Sequence, residues 1–133
     1  MCETTPRAER ALPQSPQAPA IARSFLRHET CLVHTGAVVE DAVLLVSELV
    51  TNSALHGGPP IVVAAECDGH ALQVRVRDGN ATPPRPRQAA ASDESGRGLE
   101  LVDLLSSDWG VDPFEEGKHV WFVLRAGGGP YAG

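Results

Sequence analysis

Basic residues are scarce and scattered in this chain: 11 Lys and Arg stand against 17 Asp and Glu over 133 residues, a formal net charge of −6. Partners defined by a phosphate backbone are held by clustered Lys and Arg, so nucleic acid and anionic membrane surfaces are excluded as the defining partners. Cysteine is equally sparse. Cys2, Cys31 and Cys67 are odd in number, widely spaced and without the short paired spacing of zinc or redox motifs, which reads as reduced thiols in a cytoplasmic protein. No stretch approaches the ~18 apolar residues of a membrane helix, and the N-terminus lacks a basic segment followed by an apolar h-region. A soluble, cytoplasmic chain with one hydrophobic core is expected.

What is present begins with a polar stripe inside an apolar run. From Thr35 through His56 there is no Lys or Arg, although a solvated helix face normally carries several. At 3.6 residues per turn Val39, Ala42, Val43, Val46, Leu49, Val50 and Ser53 form one broad face, while Asp41, Glu48 and Asn52 point roughly the other way. Glu48, Asn52 and His56 are each four residues apart and project as one stripe. Acid and amide groups among leucines need partners, since an unpaired buried polar group costs about 1–3 kcal/mol. A hydrated cation supplies such partners, and so do hydrogen bonds to neighbouring loops.

Along the chain, residues 1–19 are rich in Pro, Gln, Ala, Arg and Glu, with prolines at 6, 13, 16 and 19, and are expected to form a disordered tail. Residues 20–125 carry the ordered domain. A first helix is expected from Ala20 to about Leu32, stopping near His34-Thr35-Gly36, and a second from about Val38 to Leu55, ending at Gly57-Gly58-Pro59-Pro60. Ile61 to Cys67 and Ala71 to Arg77 read as a hairpin joined through Asp68-Gly69. A loop of nearly twenty residues follows from Asp78 to about Gly96, and loops that long are usually functional or disordered. Helical spacing returns from Gly98 to Leu105, and two strands are expected at Asp108–Val111 and His119–Leu124 around an Asp112–Lys118 turn. Residues 126–133, with three consecutive glycines, read as a mobile tail. Hairpins rather than βαβ repeats predict an α+β two-layer sandwich: a mixed, mostly antiparallel sheet with its helices on one face. Trp109 and Trp121, near strands, read as core or rim packing.

Two further constellations carry chemistry. Asp78-Gly79 at a strand end is either an ordinary turn or a carboxylate that accepts a hydrogen bond from a purine's exocyclic amine, with Gly79 letting the base approach the backbone. Gly96-Arg97-Gly98-Leu99 at a helix start frees N–H groups to face an anion, although a helix start alone explains such a glycine pair as well. It lacks the third glycine and the preceding buried strand of the dinucleotide fingerprint. Arg85 and Arg87, in the loop, are either solvated or contact phosphate. The histidines His28, His34, His56, His70 and His119 do not have metal-ligand spacing.

With these three constellations in this order, the chain resembles the Bergerat-fold (GHKL) ATP-binding superfamily of gyrase, Hsp90, histidine kinase and MutL relatives. It is most similar to the anti-sigma-factor serine/threonine kinases of bacterial partner switching, in an actinobacterial form. The resemblance spans about Ile21 to Leu124. Glu48 and Asn52 fall on the positions of the general base and the magnesium-holding asparagine, and His56 falls where the family often has His or Arg near the phosphates. Asp78 falls on the adenine-reading aspartate, and Gly96 and Gly98 on the second glycine box. Gly117-Lys118-His119-Val120-Trp121-Phe122 resembles the family's final strand, with His119 where Thr often follows Gly-Lys. Asp78-Gly79-Asn80-Ala81-Thr82-Pro83-Pro84 replaces the more common Asp-x-Gly-x-Gly.

The resemblance implies ATP and Mg²⁺ as cofactors, with Asn52 on the metal. Asp78, Gly79, His56, Gly96, Arg97, Gly98 and Leu99 would line the nucleotide, and Glu48 would be the catalytic base for phosphoryl transfer to serine or threonine. Expected partners are a sigma factor or an STAS-domain antagonist, with homodimerisation implied as well. The rival expectation is a non-catalytic, ATP-dependent binding module that sequesters those partners. A sensor histidine kinase would need a phospho-accepting helical hairpin before the domain, for which the segment ahead of it is too short, and gyrase-like or Hsp90-like machines need further domains.

Overall fold

The computed structural model describes residues 5–29, 32–67, 71–80, 101–114 and 116–125. In chain order the elements are β1 (Thr5–Leu12), α1 (Ala18–Glu29), α2 (Leu32–His56), β2 (Ile61–Cys67), β3 (Ala71–Asp78), β4 (Asp108–Phe114) and β5 (Gly117–Arg125), with residues 101–105 also helical. The strands form one sheet in the order β1-β2-β3-β5-β4. All four pairings are antiparallel, so the parallel component allowed by the term "mixed" is absent among the described residues. The α+β two-layer architecture is as expected.

The largest departure lies at the start of the chain. Thr5–Leu12, expected to belong to a disordered tail, is an edge strand paired along β2, from Thr5 opposite Cys67 to Leu12 opposite Ile61. An edge strand needs only one hydrogen-bonded row and one apolar face, which a sparse pattern satisfies. Leu12 is buried at 7% exposure, Ala8 packs against the core, and Glu9, Arg10 and Ala11 are exposed. Pro6 is tolerated where prolines occur in sheets, on an edge, and the register shifts there, between Thr5 and Ala8. Ser15 then opens α1. Its hydroxyl accepts from the Gln17 N–H at 3.3 Å and its carbonyl from the Ala18 N–H at 3.0 Å, with Pro16 at a position where its missing N–H costs nothing.

The helical boundaries also move. α1 ends at Glu29, and α2 begins at Leu32 and runs through Gly36 to His56, so the expected stop at His34-Thr35-Gly36 is not a break. One glycine costs a helix interior about 1 kcal/mol, which the packing of a 25-residue helix outweighs. The long apolar face of α2 is the expected one. Val39, Ala42, Val43, Val46, Leu49, Val50 and Ser53 are all buried, and Leu45 joins them. Arg23 Nη1 on α1 donates to Ser47 Oγ on α2 at 2.7 Å, and Arg27 pairs with Glu40 at 2.8 Å.

The sheet meets these helices through alternate residues: Val63, Ala65 and Cys67 from β2, Leu72, Val74 and Val76 from β3, and Val120, Phe122 and Leu124 from β5. β3 and β5 extend one core-facing residue beyond their apolar rows, to Asp78 and Lys118, which lie opposite each other in register. β4 is longer than expected, and Phe114 pairs with Gly117, shortening the expected Asp112–Lys118 turn. Pro113 fits within it because β4 is the other edge. No described helix is long and apolar enough to cross a membrane.

Candidate functional site

Asp78 is the centre of the site. Because β3 alternates strictly, the residue two beyond Val76 must also face α2, and an acid there is only 2% exposed. A carboxylate buried to that degree requires donors, and the structure supplies them from α2, from β5 and from the chain just past β3. Ser53 Oγ on α2 donates to Oδ2 at 2.8 Å, and the Asn80 N–H donates to Oδ1 at 2.9 Å. Lys118 Nζ on β5 donates to Oδ1 at 2.9 Å and to Oδ2 at 3.0 Å.

Lys118 is the only lysine in the chain and is itself buried at 6% exposure. Its third hydrogen bond goes to the Asn80 carbonyl at 3.0 Å. A charged pair this deep holds together only when its remaining donors and acceptors are also satisfied, and here they are. Sequence reasoning placed Gly117-Lys118 only as part of a resembling strand and missed the role of Lys118. The signal was there: Lys118 is in phase with Val120, Phe122 and Leu124, and a lone cation on an apolar row needs an acid beside it.

The segment after α2 is fitted tightly around this pair. The Gly57 N–H donates to the Ser53 carbonyl at 2.9 Å and the Gly79 N–H to the Gly58 carbonyl at 2.5 Å. Asn80 Nδ2 donates to the His56 carbonyl at 2.7 Å. A Cβ on Gly57 would stand 2.6 Å from Asp78 Oδ2, and one on Gly79 would collide with the Pro59 carbonyl oxygen. Gly79 is therefore small because the connection from α2 to β2 crosses it. That packing reason stands beside the expected one, that its smallness lets a base approach the backbone.

Glu48 and Asn52 are half-buried on α2, one turn apart, and Asn52 is the immediate neighbour of Ser53. Asn52 stands 26 positions before Asp78 in the chain, and the Ser53–Asp78 hydrogen bond ties the end of β3 to α2 at the residue that follows Asn52. His56 is exposed at the end of α2, and its backbone carbonyl is the atom that Asn80 engages. Gly96, Arg97, Gly98 and Leu99, together with Arg85 and Arg87, lie outside the described residues. Beyond them, residues 101–105 are anchored to the sheet. Trp109 Nε1 donates to Asp103 Oδ1 at 2.9 Å, and the Ser107 N–H donates to the Val123 carbonyl at 2.8 Å.

A helix-backed antiparallel sheet with a buried acid at the end of a central strand is the architecture of the GHKL ATPases. Residues 10–124 match the family described as Histidine kinase-like ATPase domain, and the chain belongs to that family. Among solved structures it is similar in fold to the RsbU and RsbW domains of Rv1364c from Mycobacterium tuberculosis, at a TM-score of 0.69 and 23% identity. The match covers 92% of this chain and 33% of that one, so this chain spans about a third of the length of that relative. No curated protein matches.

Proposed function

We propose that this chain is an ATP-binding regulator of the anti-sigma-factor kinase type, which binds Mg-ATP and phosphorylates a serine or threonine of an STAS-type antagonist. The observation that carries this reading is the Ser53–Asp78 hydrogen bond. The bond ties Asp78, the acid that would read the base, to the α2 residue next to Asn52, with Glu48 four residues before Asn52 on the same helix. The family membership and the fold shared with a structure whose name includes an RsbW domain support the same reading.

In this proposal Asp78 accepts from the base amine, and Glu48 takes the proton of the incoming hydroxyl. Asn52, His56 and the segment of Gly96, Arg97, Gly98 and Leu99 face the phosphates, Gly79 lies beside the base acid, and the backbone N–H groups at residues 96–99 act as anion donors. Among the described residues no group of three or more His, Cys, Asp or Glu converges on a metal position. The Asn52 carboxamide oxygen is a hard donor that suits a hard cation held mainly by phosphate oxygens and water, the usual arrangement for magnesium. Bound there, magnesium would neutralise charge on the phosphates.

The experiment is calorimetric titration of ATP, with and without Mg²⁺ and with GTP as control, into wild type and Asn52→Ala. It is followed by phosphorylation of candidate antagonists by wild type and Glu48→Gln. Magnesium-dependent ATP binding that Asn52→Ala weakens, with transfer abolished by Glu48→Gln, is the expected result. ATP binding with no transfer to any antagonist or sigma factor would leave the non-catalytic sequestering module as the function. Absence of ATP binding would overturn both.

A further inference from the structure

Asp78 and Lys118 close on each other. A carboxylate offers about four acceptor positions and an ammonium three donors. Oδ1 takes the Asn80 N–H and Lys118 Nζ, and Oδ2 takes Ser53 Oγ and Lys118 Nζ. The three Nζ contacts are the two carboxylate oxygens and the Asn80 carbonyl. Neither group has a position to spare, so a base amine that bonds to Asp78 must replace one of these donors.

The donor that yields is identifiable. Ser53 Oγ is fixed by α2 within the core, and the Asn80 N–H is main chain. Lys118 Nζ sits on a flexible four-carbon stem and keeps the Asn80 carbonyl as an acceptor when one carboxylate bond is released. The released N–H then lies beside whatever neighbours the incoming amine. In adenine that neighbour is ring N1, an unprotonated acceptor. We propose, on the basis of the ATP reading above, that Lys118 is a base-reading residue: the adenine amine displaces one of its bonds to Asp78, and the freed N–H donates to N1. Guanine presents a carbonyl and an N–H at these two places. The carboxylate would then face an acceptor and the ammonium a donor, so the pair selects adenine on two atoms rather than one.

A single lysine makes this directly observable. Protein labelled with ¹³C,¹⁵N-lysine has one lysine side-chain signal, to be followed while Mg-ATP, 1-deaza-ATP (which lacks N1) and purine riboside triphosphate (which lacks the amine) are added. Calorimetry is run on the same samples and on Lys118→Met. The expected result is a lysine signal that moves with ATP, ~tenfold weaker binding of 1-deaza-ATP than of ATP by wild type, and a ratio near one in Lys118→Met. ATP binding with the lysine signal stationary, or an equal 1-deaza penalty in wild type and Lys118→Met, overturns the proposal while leaving ATP binding intact. If Lys118→Met does not fold, the wild-type signal and the wild-type ratio decide. A wild type that binds no nucleotide overturns the ATP reading, and this inference with it.

Discussion

Ser53 on α2 and Asp78 on β3 are joined by a 2.8 Å hydrogen bond between two buried side chains, and this bond fixes the end of the central strand against the long helix. Ser53 otherwise faces the core, so its hydroxyl has no solvent alternative. Ser53→Ala is expected to destabilise the fold by about 1.5–3 kcal/mol, the range for a hydrogen bond to a charged group. Urea denaturation measures it, and a change below about 0.5 kcal/mol would mean that Lys118 and Asn80 satisfy Asp78 without Ser53.

Removing one member of the buried ion pair leaves the other charged and unpaired. Lys118→Met is expected to cost about 3–5 kcal/mol, and Asp78→Asn combined with Lys118→Met distinctly less than Lys118→Met alone. A double-mutant cycle by chemical denaturation checks this, since two contacting residues should show strong coupling. Additive effects would mean the two charges do not support one another.

Gly79 carries a packing constraint. Alanine there drives a methyl group into the Pro59 carbonyl oxygen and disturbs the Gly79–Gly58 backbone hydrogen bond. Gly79→Ala is expected to cost about 1–3 kcal/mol, as for other overpacked sites. Thermal unfolding compares it with wild type, and an unchanged midpoint would show that the α2–β2 connection moves aside freely.

β1 belongs to the folded domain. Leu12→Ala is expected to destabilise by about 2–4 kcal/mol, within the range for leucine truncation in a core. Amide exchange in β1 of the wild type should be slowed by its ladder with β2. Free exchange throughout residues 8–12, together with a neutral Leu12→Ala, would remove β1 from the domain.

Arg27 and Glu40 link α1 to α2 at the surface, with side chains 49% and 66% exposed. The hydrogen bond from Arg27, and then its charge, hold the Glu40 carboxyl below its ordinary range. A carboxyl lowered in the folded state contributes stability above its unfolded pKa and loses it as pH falls through the folded value. The melting difference between wild type and Glu40→Gln should therefore be small at pH 7, shrink in high salt, and vanish at about pH 2. A difference that persists in acid would assign the effect to packing rather than charge.

The sheet and the helical stripe were legible because period and burial agree. Leu72, Val74 and Val76 alternate as the core requires, and Val39 through Ser53 hold one helical face. β1 was hidden because an edge strand is built from little more than Leu12 and Ala8 on its inner face, amid proline and charge. The α1–α2 boundary misled because Gly36 resembles a stop, whereas packing carries the helix through it. Asp78 stood out as an acid beside a glycine. Its neutralising partner did not, because Lys118 is 40 residues away and only the β3–β5 register puts the two side by side. The charge of the site was visible in the chain, but its compensation required the pairing.

With every other cation of the chain an arginine, a lysine-specific endoproteinase has one internal cleavage point, the Lys118–His119 bond. That bond lies in β5, which is flanked by β3 on one side and β4 on the other. No scission can occur until strands on both sides have let go. The rate of that single cut is then a clock for opening of the sheet at the candidate site, and the extent to which a nucleotide slows it measures how firmly the occupied site is locked.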